Sequence, residues 1–207
     1  MPRPKNVLLI IADQWRADCL GCAGHEVIKT PNLDSLAAAG TRFTSCFNQT
    51  APCGPSRMCI YTGRYLCSTR SGHNCTPLAN AEENFGYQLR TEGYDPGLIG
   101  YNDYAIDPAI LPQDDFRTRS LHYANVLPGI ERVLYHEYDS PEYFESLRQK
   151  GYPEGLLNYD AIHAPDVPAE GPGEHLDSYF PAKYSKEDSE CRFLTETAIE
   201  YVRQRQG

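Results

Sequence analysis

Six consecutive apolar residues near the N-terminus, Val7 to Ala12, constrain the fold of this chain more than any other feature of its sequence. A run that is apolar on both faces is typical of a buried central strand in a parallel sheet, and we expect that strand over residues 6–12. The run is far shorter than the roughly 20 residues that a membrane-spanning helix needs. Asp13 and Gln14 follow it directly, at the strand end where open α/β sheets bind ligands.

The rest of the sequence alternates between helical and strand patterns. We expect helices over 30–40, 55–63, 82–92, 142–150 and 185–206, and further strands over 41–48 and 97–101. In the first helix, Leu33, Leu36 and Ala37 form the predicted buried stripe. This order of elements is typical of an α/β fold with a mostly parallel sheet. It divides the chain into a site-bearing core (1–104), a proline-rich loop region (105–184) and a final helix (185–207).

The distribution of charge indicates the kind of partner. The 207 residues carry a formal net charge of -9, which speaks against a nucleic-acid partner. Residues 1–80 nevertheless hold 8 Lys and Arg against 4 Asp and Glu, so the acidic excess lies in residues 81–207. We therefore expect a small anionic substrate to bind within the first third of the chain, and we expect no membrane partner.

The cysteines and histidines give no independent sign of a metal site. The basic N-terminus is followed by too short an apolar stretch for a secretory signal, so we expect a cytoplasmic protein in which most of the 8 cysteines are reduced. Cys19-x-x-Cys22 leaves a zinc site or a thiol-based redox role open, although a structural zinc ion needs four ligands. Among the histidines, we expect exposure for those of the proline-rich region, namely His122, His136, His163 and His175.

One motif is far more specific. Cys53-Gly-Pro-Ser-Arg57, followed by Gly63 and Arg64, resembles the Cys-x-Pro-Ser-Arg signature of the sulfatase family, in the alkaline phosphatase superfamily. Four segments look closest to the phosphonate monoester hydrolase and arylsulfatase branch of that family: 13–16, the Pro-Cys-Gly-Pro loop at 52–55, 73–78 and 98–101. The similarity runs from about residue 5 to residue 110 and returns in the last helix. It implies an alkaline-phosphatase-like sheet, mixed but mostly parallel and flanked by helices, that is incomplete because the C-terminal half is absent.

The resemblance also implies the chemistry. In this family the motif cysteine, here Cys53, is oxidised to formylglycine by a formylglycine-generating or equivalent maturation enzyme. Water adds to the aldehyde to give a geminal diol, of which one hydroxyl attacks sulfur or phosphorus and the other later expels the bound sulfate or phosphate. Arg57, one helical turn after Cys53, would hold the diol and neutralise the substrate anion. From the residues alone, a buried thiol at Cys53 and a solvated helix residue at Arg57 remain alternatives.

One divalent metal ion is implied as well, either Ca²⁺ or Mn²⁺, with Mg²⁺ as a further candidate. Its ligands here would be Asp13, Gln14 and the modified Cys53, since hard cations prefer oxygen donors. A turn residue at Asp13 and a supporting role for Gln14 are the alternatives. Trp15, which follows them, is expected to pack beneath the site.

Three residues match substrate-binding positions of the family: Asn74, Tyr101 and Asp103. A side-chain amide at Asn74 would stabilise growing negative charge on the substrate. The alternatives are a turn residue at Asn74 and a packing aromatic at Tyr101. Asp103 stands where the family usually has Thr or His, and an acid there repels an anion unless it is protonated or metal-bound. For His73 and Arg70 we expect surface roles.

The family site also needs a His, an Asp followed by Asn or His, and a Lys from further along, and no Asp-Asn or Asp-His occurs in these 207 residues. We therefore expect a truncated sulfuric ester, phosphonate monoester or phosphodiester hydrolase that is weakly active or inactive alone. We expect the full-length protein to be a homo-oligomer. The alternative is a non-catalytic remnant, or one half of a split enzyme that binds a partner chain.

Overall fold

The computed structural model describes residues 6–115, 125–137, 140–164, 166 and 181–205. The chain divides into two compact units, Met1–Asn48 and Gln49–Gly207, and each is described by itself. This division falls inside the predicted core of residues 1–104. The assignment of the whole chain to one catalytic domain therefore stays a prediction.

The first unit is organised around one hydrogen-bonded acid. Its described residues form a single α-helix, α1 (Pro31–Ala39), and a 3₁₀ turn at Gly21–Ala23. The predicted helix is confirmed, with Pro31 at its first turn, where a missing backbone N–H costs nothing. The Asp34 carboxylate accepts hydrogen bonds from the Cys22 backbone N–H at 2.7 Å and from the Thr30 hydroxyl at 2.9 Å. This carboxylate therefore joins the 3₁₀ turn to α1.

The two strands predicted for the first unit are wrong. Residues 6–12 and 41–48 form no strand, and apart from the half-buried Ile11 their apolar side chains are exposed, for example Ile10 at 77% and Phe47 at 83%. The stripe on α1 is also uncovered, since Leu36 is 65% exposed. An apolar run becomes a strand only where another strand pairs with its backbone, and the described part of the first unit offers no such partner. The apolar pattern of these segments indicates which side chains are suited to burial. It does not indicate whether another part of the structure covers them.

The second unit is a mixed α/β structure, which confirms the predicted fold class. Its helices and strands, among the described residues, are α2 (Cys53–Thr62), α3 (Leu66–Thr69), α4 (Phe85–Thr91), β1 (Gly97–Gly100), β2 (Glu131–Tyr135), α5 (Pro141–Gln149), α6 (Tyr159–His163) and α7 (Glu190–Gln204).

Strands β1 and β2 form a two-stranded parallel sheet. Gly97 pairs with Glu131 and Gly100 with Tyr135, so both strands end side by side. Strand β1 was predicted, whereas β2 and α6 lie in the region expected to be loop-rich. Because parallel strands place their carboxyl ends at one edge, residues that follow β1 and β2 meet there.

Helices α5 and α6 build one apolar core cluster of the second unit. Tyr143, Phe144 and Leu147 on α5 pack with Ile162 on α6, and Phe193 of α7 packs against them. The predicted helix over 142–150 is confirmed. Helix α7 begins later than predicted, because the Ser189 side chain accepts a hydrogen bond from the Arg192 backbone N–H and caps the helix there.

A buried histidine corrects one expectation. His136, expected to be exposed, is only 7% exposed and lies 3.1 Å from the Glu190 carboxylate. His163, which is exposed, reaches the other carboxylate oxygen at 3.2 Å. Burial raises the pKa of Glu190, but the hydrogen bonds and charges of the two histidines outweigh it, so the pKa is lowered overall. His122 and His175 lie outside the described residues.

None of the helices in the described part of the chain combines the length and the apolar character that a bilayer span requires.

Close packing of α7 on β1 generates a stability prediction. A Cβ atom at Gly97 would run into the Tyr201 hydroxyl and lie 2.7 Å from Val133 Cγ2. We expect Gly97→Ala to lower the free energy of unfolding by about 1–3 kcal/mol, as overpacking of a filled site does, measured by urea denaturation. Gly155→Ala is the control, because nothing lies within 4 Å of a Cβ there. Equal effects of the two substitutions would contradict this packing.

Candidate active site

The motif cysteine begins helix α2. Pro52 is the extended residue before it, and Gly63, at φ 65°, ends the helix in the left-handed conformation that glycine adopts without strain. The predicted start near Pro55 or Ser56 is thus two or three residues late. Cys53 lies at the first helical position, where backbone N–H groups are free of intrahelical partners and the helix dipole is positive.

Asn74 lies directly against Cys53. Its amide Nδ2 donates to Cys53 Sγ at 3.3 Å, and its Oδ1 accepts from the Gly54 backbone N–H at 3.0 Å. A Cβ atom at Gly54 would lie 2.9 Å from that oxygen, so any other residue at this position would force the contact to shift. Asn74 also belongs to a turn, in which the Thr76 N–H donates to the His73 carbonyl. The substrate role of Asn74 stays a prediction.

Arg57 is buried one turn after Cys53. It is 5% exposed, and its Nε lies 3.3 Å from the Asp103 carboxylate. One guanidinium N–H donates to the Tyr101 carbonyl at 3.3 Å, and the guanidinium carbon lies 4.3 Å from the centre of the Tyr101 ring. The solvated alternative for Arg57 is therefore wrong: the side chain links α2 to the residues that follow β1.

The turn after β1 adopts an unusual backbone conformation. Gly100 has φ 104° and Asp103 has φ 54°, a left-handed value that few residues other than glycine adopt. Asp103 is 2% exposed and faces Arg57, which explains how an acid is accommodated at this position. Such conformations cluster at functional sites, because the surrounding structure has to hold them in place.

Asp103 and Asn74 shift the pKa of the Cys53 thiol in opposite directions. Burial is the main cause that raises its pKa, and the hydrogen bond and charge of Asp103 raise it further. The hydrogen bond from Asn74 lowers it, because it favours the thiolate. For Arg57, burial lowers the pKa, but the hydrogen bond and charge of Tyr61, with the charges of Tyr101 and Asp103, raise it overall.

The predicted metal ligands belong to both units. Asp13 and Gln14 lie in the first unit and are exposed, and Gln14 has a left-handed backbone at φ 55°. Their carboxylate and amide oxygens are donors that fit a hard cation. Within the described residues, no three His, Cys, Asp or Glu side chains are grouped as a metal site would need. The ligand assignment of Asp13, Gln14 and Cys53 stays a prediction.

Of the other expectations from sequence, one is wrong and one agrees with the structure. Trp15 is 50% exposed, so the expected packing of its side chain is wrong, and its indole N–H donates to the Cys19 carbonyl at 3.3 Å. Arg70 and His73 are exposed, as expected. Cys19 and Cys22, like the other six cysteines, are free thiols.

The sequence did not lead us to predict three residues that lie near Arg57 and Asp103. Tyr61, Tyr135 and Glu137 all influence Arg57 or Asp103. A signal for Tyr61 exists, because it follows Arg57 by four residues and so lies on the same face of α2. No comparable signal exists for Tyr135 and Glu137, since their position depends on the pairing of β2 with β1.

The chain is similar to several known hydrolases. The chain is 37% identical, over 98% of its length, to the multifunctional alkaline phosphatase superfamily protein PehA of Trinickia caryophylli. It is 50% identical to human arylsulfatase A over 53% of its length. The solved structure of a phosphonate monoester hydrolase from Silicibacter pomeroyi matches 99% of the chain with a TM-score of 0.86 and 32% identity.

These matches span only part of each relative: 39% of the Trinickia protein, 23% of the human protein and 39% of the Silicibacter structure. The structural match confirms the expected alkaline-phosphatase-like fold, and the chain spans about two fifths of the length of that structure. The sulfatase family model matches residues 5–155, which include the whole Cys53–Arg57 motif. This match covers more than half of the sequence, and the chain therefore belongs to the sulfatase family.

Proposed function

We propose that this chain carries the nucleophile-bearing part of a hydrolase that cleaves a sulfate ester, a phosphonate monoester or a phosphodiester. The observation that carries the proposal is the junction at Cys53, where a helix start, the amide of Asn74 and the buried Arg57 come together. Formylglycine formed from Cys53 by a maturation enzyme is the proposed nucleophile.

The start of α2 suits a tetrahedral anion. Helix α2 has 10 residues, and its first backbone N–H groups and positive dipole end favour negative charge beside position 53. The Asn74 amide adds a donor directed at the same side chain. Together these groups support an oxyanion site for the sulfuryl or phosphoryl group.

Arg57 supplies the positive charge in the second unit's part of the site. Its guanidinium is fixed by Asp103 and by the Tyr101 carbonyl, so it loses little conformational freedom when an anion binds. The aromatic face of Tyr101 lies against the same guanidinium and shields it from water. We propose that Asn74, Tyr101 and Asp103 bind or shape the site for the substrate.

A divalent cation completes the proposal. Asp13, Gln14 and the modified residue 53 would hold it, and when bound it supplies Lewis-acid stabilisation of negative charge. Carboxylate and amide oxygens match Ca²⁺, Mg²⁺ or Mn²⁺ better than softer metals. Because a hard cation takes six or more oxygen ligands, we propose that further ligands come from residues beyond these 207, and that the isolated chain has little activity.

The exposed apolar run of the first unit supports a second candidate. Val7, Leu8, Leu9 and Ile10 are each at least 56% exposed, which is typical of a surface that another polypeptide covers. A non-catalytic or split-enzyme subunit would use such a surface. Copurification of a second polypeptide that carries an Asp-Asn or Asp-His pair, and restores turnover, would favour the split form over the truncated one.

The first prediction concerns the nucleophile. Trypsin cleavage after Arg42 and Arg57 releases Cys46 and Cys53 on one peptide. From a host with the maturation enzyme, we expect Cys53 to carry an aldehyde that reacts with a hydrazide, and Cys46 to remain an alkylatable thiol, both read by tandem mass spectrometry. Cys46 is thus an internal control. Two thiols in every such peptide would contradict the proposed nucleophile.

The second prediction concerns the metal. In the full-length protein, Asp13→Asn should weaken divalent metal binding by at least about tenfold, because a charged oxygen ligand is lost. Metal content after dialysis, measured by inductively coupled plasma mass spectrometry, is the readout. Asp18→Asn, which alters an exposed acid nearby, is the matched control. Equal metal content in both variants would refute the ligand assignment.

The third prediction uses the unmodified protein. Asp103→Asn removes a charge that raises the pKa of the Cys53 thiol, and Asn74→Ala removes a hydrogen bond that lowers it. Below the thiol pKa, alkylation of Cys53 by iodoacetamide should become faster by roughly threefold to tenfold in the first variant and slower in the second.

Quantitative mass spectrometry of the Cys53 peptide measures these rates, and circular dichroism checks that both variants fold. Asp107→Asn, at an exposed acid four residues further along, should leave the rate unchanged. Shifts of the same sign in the Asp103 and Asn74 variants would contradict the geometry around Cys53.

A further inference from the structure

Tyr135 and Glu137, at the end of β2, meet the active-site turn at the carboxyl edge of the sheet. Because Gly100 pairs with Tyr135 in the parallel register, the residues after β1 and after β2 leave the sheet together. The His136 backbone N–H donates to the Gly100 carbonyl at 3.2 Å and extends this pairing by one residue. Glu137 is therefore carried towards the turn that holds Asp103.

The position of Glu137 is closely determined. Its carboxyl group accepts a short hydrogen bond from the hydroxyl of Tyr135, which is 4% exposed. The Glu137 backbone N–H donates to Ser140 Oγ at 3.1 Å, and that hydroxyl donates back to the Glu137 carbonyl at 2.6 Å. Ser140 is itself 1% exposed, so a buried side chain holds the backbone of Glu137 on both sides.

The charges around Glu137 belong to the active site. Burial is the main cause that raises its pKa to about 7, and the Asp103 carboxylate raises it further. The Tyr135 hydrogen bond and the positive charge of Arg57 act in the opposite direction. Arg132 lies beside Tyr135, its guanidinium carbon 5.0 Å from the ring centre. Near neutral pH, Glu137 thus changes charge within a network that already contains the Arg57–Asp103 ion pair.

We propose that Glu137 is a positioning residue of the active site, which, together with Asp103, sets how much positive charge Arg57 presents to the substrate anion. The inference rests on the proposed function, because it needs Arg57 to bind an anion. With Glu137 neutral, Arg57 faces one buried carboxylate. With Glu137 ionised, a second negative charge acts on the same guanidinium and opposes an incoming anion. The site should therefore bind anions more tightly on the acidic side of the Glu137 titration.

The test reads Arg57 directly in the unmodified chain and does not require turnover. The NMR resonance of Arg57 Nε should titrate with a midpoint of about pH 7. Glu137→Gln keeps an oxygen acceptor for Tyr135 but cannot ionise, so this titration should disappear. Tyr135→Phe removes a hydrogen bond that lowers the pKa of Glu137, so the midpoint should move to higher pH. Glu142→Gln, at an exposed position on α5, is the matched control and should leave the midpoint unchanged.

Inorganic sulfate is the binding probe, because its charge is constant over this pH range. The affinity for sulfate is read from the same resonance. It should fall by roughly threefold to tenfold between one pH unit below the midpoint and one unit above it, because one negative charge is added at a distance where solvent and salt partly screen it. Glu137→Gln should abolish that fall.

An Arg57 titration that persists in Glu137→Gln, or a sulfate affinity with the same pH dependence in that variant, would overturn the inference. If sulfate fails to bind at any pH while the Arg57 titration still depends on Glu137, the proposed anion site is refuted and the coupling between the two residues stands.

Discussion

The ion pair between Arg57 and Asp103 is the interaction on which the architecture of the second unit's site depends. Both side chains are almost fully buried, so neither charge is solvated by water. Removing one partner from such a pair typically costs about 3 to 5 kcal/mol, because the other charge remains buried without compensation. The pair connects the helix that begins at Cys53 with the turn after β1. It thereby fixes the distance between Cys53 and the carboxyl edge of the sheet.

The electrostatic state of the site follows from this pair. A guanidinium that already faces a carboxylate attracts an anion less strongly than an unpaired one. The local net charge is therefore set by the neighbouring groups as much as by Arg57 itself. Asn74, with no charge, favours the anionic form of residue 53, whereas Asp103 opposes it. The arrangement balances anion attraction against the burial of like charges within one small volume.

The sequence predicted the parts of this structure that depend on local signals. Helix α2, its terminal Gly63, strand β1 and helix α5 follow from short-range patterns of turn residues and apolar spacing. Cys53 and Arg57 lie four residues apart on α2, although the helix was predicted to begin only at Pro55 or Ser56. Long-range contacts were not predictable in the same way. Strand β2 has no strong alternation, and its partner lies more than 30 residues away, so neither the strand nor Glu137 could be placed before the pairing was known.

The errors in the first unit have a different physical origin. Val7 to Ala12 carries the side chains of a buried strand, yet a strand also needs hydrogen-bonding neighbours, which no single segment encodes. Asp103 illustrates the opposite case. An acid in an anion site looked unfavourable from sequence, because the partner that compensates it was unknown until the turn after β1 was located beside Arg57.

The contact between Gly54 and Asn74 has a consequence for how this motif can vary. The signature allows any residue at its second position, but here a side chain at 54 would collide with the amide that contacts Cys53. Positions 54 and 74 are therefore coupled, since a side chain at 54 would displace the Asn74 amide and crowd the Asn74 Cα atom. Variant libraries of this protein gain little from diversifying position 54 alone, and should randomise both positions together.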